Sequence, residues 1–98
     1  MNMQAMMKQA QKLQKDMMET QKKIDEMEFE GTSSIVTVKL SGKKELLSVN
    51  IDSDSFDKDE IEMLQDMIVV AINDAMKKID KETEEKMGAY TKGMPGLF

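Results

Sequence analysis

The chain has no cysteine, no histidine and no arginine among its 98 residues. The missing thiols and imidazoles exclude disulfide frameworks, thiol nucleophiles, histidine-activated serines and most transition-metal sites. The missing guanidinium removes the bidentate contact that best reads guanine in a duplex. Four scattered aromatics (Phe29, Phe56, Tyr90 and Phe98) build no stacking platform for single strands. No apolar run approaches the ~18 residues that span a bilayer, and lysine and glutamine interrupt the start too often for a signal peptide. A cytoplasmic, soluble protein with no membrane association is the expectation. No glycine-rich phosphate loop occurs, since Gly42-Lys43-Lys44 lacks the rest of that motif. The carboxylates fall on solvated faces with no sign of an apolar pocket, so no catalytic residue is assigned and the chain reads as a non-enzyme.

What is present is a seven-residue repeat over the first 27 residues. Met3, Met6, Ala10, Leu13, Met17, Thr20, Ile24 and Met27 occupy the inner positions and form one nearly unbroken apolar seam. Lys8, Lys15 and Lys22 fall opposite it, with Lys12 beside them. The spacing predicts a rod about 40 Å long, apolar on one side and basic on the other. Met1, Met3, Met6 and Met7 would suit soft Cu(I), but methionine on a seam packs as a flexible hydrophobe, so no metal and no cofactor are expected.

Charge is segregated along the chain. The net charge is −5, yet residues 1–15 carry three lysines and no acid. Residues 31–45 are also basic, and residues 46–66 concentrate acids. Lys8, Lys15 and Lys22 keep nearly one bearing along the rod and can follow phosphates, although lysine on an outer helical face is commonplace. Lys15–Glu19 and Glu19–Lys23 have the spacing of stabilising helical pairs.

Beyond the rod, a short strand is expected at 26–31. Val36, Val38 and Leu40 alternate with Thr37 and Lys39, then Leu47, Val49 and Ile51 alternate with Ser48 and Asn50. Ser41-Gly42-Lys43-Lys44 is a turn, its glycine expected to supply an unusual backbone conformation. Asp57-Lys58-Asp59-Glu60 reads as a capping box opening a second helix over 58–86, ended by Gly88. The acids before it suit the helix start better than a cation loop, which would need glycine and a terminal glutamate at fixed spacing. Ile61, Leu64, Ile68, Ile72, Ala75 and Ile79 form the main stripe of that helix. Met67-Ile68-Val69-Val70-Ala71-Ile72 is apolar all round, more than one small chain can cover. Met67, Ile68, Val70, Ala71 and Ile72 are therefore the candidate subunit interface. The organisation is an α+β fold: a long N-terminal helix, a three-stranded antiparallel sheet and a C-terminal helix. Residues 1–90 form one dimerising domain, and residues 91–98, with Gly93, Pro95 and Gly96, form a flexible tail.

The order of elements and the strings MQAMMKQAQKLQKDM, KKELLSVNID, EMLQDMIVVAINDAMKK and MPGLF are similar to the YbaB/EbfC family of bacterial nucleoid-associated proteins. Where that family carries a glycine-rich run before its second strand, this chain has Thr32-Ser33-Ser34. The resemblance implies a homodimer with projecting helical arms. It implies a nucleoid protein that binds and bridges duplex DNA and affects gene expression, with recombination or replication proteins as further partners. The family's basic surface carries over to Lys8, Lys12 and Lys15 on the arm, then to Lys22 and Lys23, and last to Lys43 and Lys44 at the hairpin. The expected mode is electrostatic, salt-sensitive and weakly selective. The competing reading is a coiled-coil-like protein–protein adaptor whose lysines only keep it soluble.

Overall fold

A computed structural model describes residues 2–53 and 57–93. The first helix, α1, spans Met3–Glu26. Its methionines, glutamines, lysines and alanines favour helix, and it contains neither glycine nor proline. Asn2 caps it, the side-chain carbonyl accepting the Gln4 N–H at 3.0 Å. At Met27 the backbone turns extended while its N–H still reaches the Ile24 carbonyl. That cap is why the first strand starts at Glu28 rather than at 26 as the sequence suggested.

Three strands follow: β1 Glu28–Ser33, β2 Val36–Ser41 and β3 Leu46–Ile51, antiparallel in the order β1-β2-β3. Phe29 opposes Leu40 and Gly31 opposes Val38, while Val38 opposes Val49 and Val36 opposes Ile51. The β1–β2 turn has two residues, and Ser34 takes φ 53° there. A positive φ at the first central residue is the habit of glycine, so Ser34 holds a conformation that a side chain disfavours. In the next turn the residue with positive φ is Lys44, at 69°. Gly42 is required for a different reason than the one expected. A Cβ there would lie 1.8 Å from the Ile24 carbonyl oxygen, so the glycine provides space for the end of α1 rather than an unusual backbone angle.

A short 3₁₀ turn, Lys58–Glu60, leads into α2, Ile61–Gly93. The capping box is not made, since the Asp57 side chain forms no cap hydrogen bond and the helix opens through the tighter turn instead. Nor does Gly88 end the helix. It lies inside α2, which continues to Gly93 and so takes in the first three residues of the tail expected from 91. Residues 94–98 of that tail lie outside the described residues.

Helix α2 lies across β1 and β2. Phe29, Val36, Val38, Leu40, Ala71, Ala75 and Ile79 form the core, flanked by Leu64, Ile68 and Ile72. Gly31 makes the close approach possible, because a Cβ there would meet the Ala71 carbonyl oxygen at 1.9 Å. The outer edge of β1 is also tied to the helix. Asp74 accepts the Thr32 N–H at 3.0 Å, and Lys78 Nζ donates to the Glu30 carbonyl at 2.7 Å. These bonds satisfy edge groups that would otherwise offer pairing to another strand.

β3 is treated differently. Leu46, Leu47 and Val49 are half exposed, because α2 does not extend over them. The alternation expected for this strand holds in pairing at Val49 and Ile51 but not at Leu47, where a register shift sets Leu46 opposite Leu40, and it is absent from burial. The molecule measures 71 × 20 × 13 Å, and its radius of gyration of 19.6 Å exceeds the roughly 13 Å of a compact 100-residue domain. The excess comes from the two long helices, of 24 and 33 residues.

Candidate nucleic-acid interface

Burial along the seam of α1 divides the helix in two. Ile24 is 1% exposed at one end, while Met3 is 76% exposed at the other. Leu13, Met17 and Thr20 are half-buried, and everything from Asn2 to Lys12 is open to solvent. The reason is geometric. Thr20 Oγ1 meets Tyr90 OH at 3.1 Å, so α2 reaches its end at Gly93 beside the middle of α1. The N-terminal half of α1 therefore projects as an arm.

Lys8, Lys12, Lys15, Lys22 and Lys23 are all exposed on this helix. None has an ion-pair partner among the described residues, where the ion pairs are Lys44–Asp80 at 3.1 Å and Lys78–Asp74 at 3.5 Å. The helical pairs expected from spacing, Lys15–Glu19 and Glu19–Lys23, do not close to 4.0 Å. Exposed long side chains gain little from holding one geometry, so the ammonium groups stay solvated. Lys8 to Lys22 rises about 21 Å, the length of roughly six base pairs. Gln11, Gln14, Lys15, Met18, Glu19 and Lys22 border an open depression of about 610 Å³ on the same helix.

The hairpin lysines form a second, weaker group. Lys43 and Lys44 are exposed in the β2–β3 turn, and Gly42 of that turn donates its N–H to the Met27 carbonyl, at the base of the arm. Lys44 is already engaged by Asp80. Asp25 and Glu26 lie at the same end as Lys22 and Lys23, so the base of the arm is close to neutral and its outer half carries the uncompensated charge.

At the candidate subunit interface, Val70 is 54% exposed and its neighbour Val69, which was not singled out, is 56% exposed. Met67, Ile68 and Ile72 are half-buried and pack on the chain's own core. Ala71 does not belong to this group. It is fully buried against Gly31, and its methyl has no surface left for a partner.

Sequence reasoning missed two polar contacts. One is the Thr20–Tyr90 bond, whose signal was the lone hydroxyl on an otherwise apolar seam. The other is the Asp74–Lys78 pair on the edge of β1, which has no sequence signal beyond ordinary i,i+4 spacing. The Asp74 carboxyl is held below its usual 3.8, chiefly by the Thr32 N–H and then by the Lys78 ammonium.

Among the described residues no group of three or more Cys, His, Asp or Glu side chains could hold a metal ion, and no helix is long and apolar enough to cross a membrane. A projecting rod whose exposed lysines have no ion-pair partner among the described residues is a surface suited to a polyanion. Comparison with known proteins identifies which one. The chain belongs to the YbaB/EbfC DNA-binding family, whose model matches residues 1–94. It is 46% identical to a nucleoid-associated protein of Ligilactobacillus salivarius over 99 residues, covering 99% of this chain and 95% of that relative. It is 47% identical to one from Enterococcus faecalis, covering 98% and 94% of the two chains. A nucleoid-associated protein of Lactococcus lactis subsp. cremoris is 52% identical, with 97% and 98% covered. The polyanion is DNA, and the chain is not an enzyme.

Proposed function

We propose that the chain acts in the bacterial nucleoid as a homodimer that grips duplex DNA through two lysine-bearing arms, with low sequence selectivity. The observation that carries this reading is the arm itself: Lys8, Lys12 and Lys15 stand exposed, with no ion-pair partner among the described residues, on a helix that projects from a chain of net charge −5. Lysine ammonium groups neutralise phosphates without reading base edges, and no arginine is present to read guanine. Selectivity is accordingly weak, and the acidic remainder of the chain makes binding sensitive to salt.

The second subunit covers the apolar surface that one chain leaves open. Leu46, Leu47 and Val49 on β3, with Val69 and Val70 on α2, are each 41–56% exposed. The β3 segment Leu46–Ile51 carries no charged residue, so a two-fold axis beside it brings no like charges together. Met67, Ile68 and Ile72 contribute only their outward sides. Two arms on one dimer act at high effective concentration on a single duplex, or join two duplexes. Organisation of the nucleoid and altered gene expression follow from such bridging.

The test is a titration of duplex DNA at several salt concentrations with wild type and a Lys8→Gln, Lys12→Gln, Lys15→Gln triple variant. Removing three cations from each of two arms should flatten the slope of log K against log salt by about 5. Unchanged affinity and slope would show that the arm is not the DNA-contacting surface. A stoichiometric protein partner that survives nuclease treatment, with no DNA affinity, would favour the adaptor reading instead.

A further inference from the structure

We infer that Thr20 and Tyr90 form a latch that sets the direction of the DNA-binding arm, making both of them positioning residues. The inference rests on the arm reading above.

The arm is held to the rest of the chain at two places. One is its base, where Met27 donates to the Ile24 carbonyl, Gly42 donates to the Met27 carbonyl, and Gly42 leaves room for Ile24. The other is the contact with the C-terminal part of α2. Along the same seam Leu13 and Met17 are half-buried and apolar, and apolar side chains impose little direction on what they pack against. Thr20 is the exception. Its hydroxyl meets Tyr90 OH at 3.1 Å in a part-buried setting. Among the described residues no other side chain–side chain hydrogen bond, and no ion pair, joins α1 to α2. A hydrogen bond is directional where packing is not, and one polar pair in an apolar helix seam selects a single register.

The consequence is amplified by leverage. Lys8 stands twelve residues beyond Thr20, about 18 Å along the helix. A tilt of about 10° at the latch would move Lys8 by roughly 3 Å, close to one base-pair step of 3.4 Å. A roll of α1 about its own axis would turn the whole lysine stripe away from the duplex. Holding the arm still removes an ordering cost that binding would otherwise have to meet. The contacts in the bound state are the same with or without the latch. Loss of the latch should therefore weaken affinity without changing how many phosphates are neutralised.

The absence of cysteine allows clean labelling. Spin labels at Gln4→Cys and Lys81→Cys, in chains diluted with excess unlabelled protein, report the arm's direction as an intrachain distance distribution. The same backgrounds are titrated with a duplex of about 40 base pairs, a length of four helical turns. Tyr90→Phe and Thr20→Val should each broaden the distribution or shift it by about 3 Å. They should weaken DNA binding about three- to tenfold, with the slope of log K against log salt unchanged. Thr20→Ser retains the hydroxyl and should behave as wild type in both measurements. An unaltered distribution in Tyr90→Phe overturns the latch, whatever happens with DNA. A broadened distribution with wild-type affinity overturns its role in binding. Failure of the arm reading is recognised separately, by a lysine triple variant that binds as wild type does. Thermal melts of each variant identify any that lose the fold, and where one of Tyr90→Phe and Thr20→Val does, the other carries the test.

Discussion

Gly31→Ala adds one methyl group at the closest approach between helix and sheet. The new Cβ would lie 1.9 Å from the Ala71 carbonyl oxygen, 2.6 Å from the Ala75 nitrogen and 2.9 Å from the Ala75 Cβ. An ordinary carbon–oxygen contact needs about 3.3 Å, so α2 must retreat by about 1.4 Å. Two of the three atoms are backbone in the middle of a helix and cannot rotate aside. The retreat opens the contacts of Ala71, Ala75 and Ile79, which are among the most deeply buried residues of the chain. It also stretches the Asp74 and Lys78 bonds to β1. Overpacking of a core commonly costs 1–3 kcal/mol, and rigid neighbours place this case near the upper end, about 3 kcal/mol. With a urea dependence of about 2 kcal/mol per molar, the unfolding midpoint should fall by about 1.5 M at fixed protein concentration. Gly88→Ala is the internal control, because a Cβ there meets nothing within 4 Å. The same chemical change in mid-helix should stabilise by about 0.5–1 kcal/mol and raise the midpoint. A Gly31→Ala midpoint within about 0.3 M of wild type would refute the packing argument, as would equal losses at the two positions.

Two further outcomes follow from the exposed apolar face and from the edge of β1. Val70→Glu should leave the chain folded by circular dichroism, because Val70 is 54% exposed in one chain, yet halve the mass seen by light scattering. It should also weaken duplex binding about a hundredfold, as one arm loses the effective concentration supplied by the other; an unchanged mass would remove this face from the interface. Asp74 titrates below its unfolded value of 3.8, so its stabilising effect is present above that value and is lost as pH falls through the folded pKa. Asp74→Asn should accordingly be less stable than wild type at neutral pH, with the gap closing below about pH 4 in urea melts, and a gap that persists in acid would rule out the carboxylate as its source.

Much of the architecture was readable from patterns of local origin. The heptad placed α1 and its lysines, because a helix repeats its faces every 3.6 residues whatever lies beside it. The alternation at 35–40 placed β2 for the same kind of reason, and the resemblance carried by four strings along the chain pointed to the family later shown over residues 1–94. Boundaries were less legible. Gly88 looked like a helix stop but sits within α2, which continues to Gly93. The box at Asp57–Glu60 had the right residues and did not form the bonds. Gly42 was correctly singled out as a glycine position, though what it supplies is room beside Ile24.

What the sequence by itself determined is the periodicity of each element, the separation of positive from negative charge, and the lack of thiol, imidazole and guanidinium groups. The tertiary structure alone decided which half of α1 is free. The seam reads as uniformly apolar, yet Met3 is 76% exposed and Ile24 is 1% exposed, because α2 ends beside the middle of the rod. It also decided that Ala71 packs on Gly31, that Asp74 and Lys78 close one sheet edge, and that β3 keeps an open apolar face. The physical reason is common to all of these. Periodicity tells which residues share a face, but only the meeting of elements distant in sequence determines what that face meets.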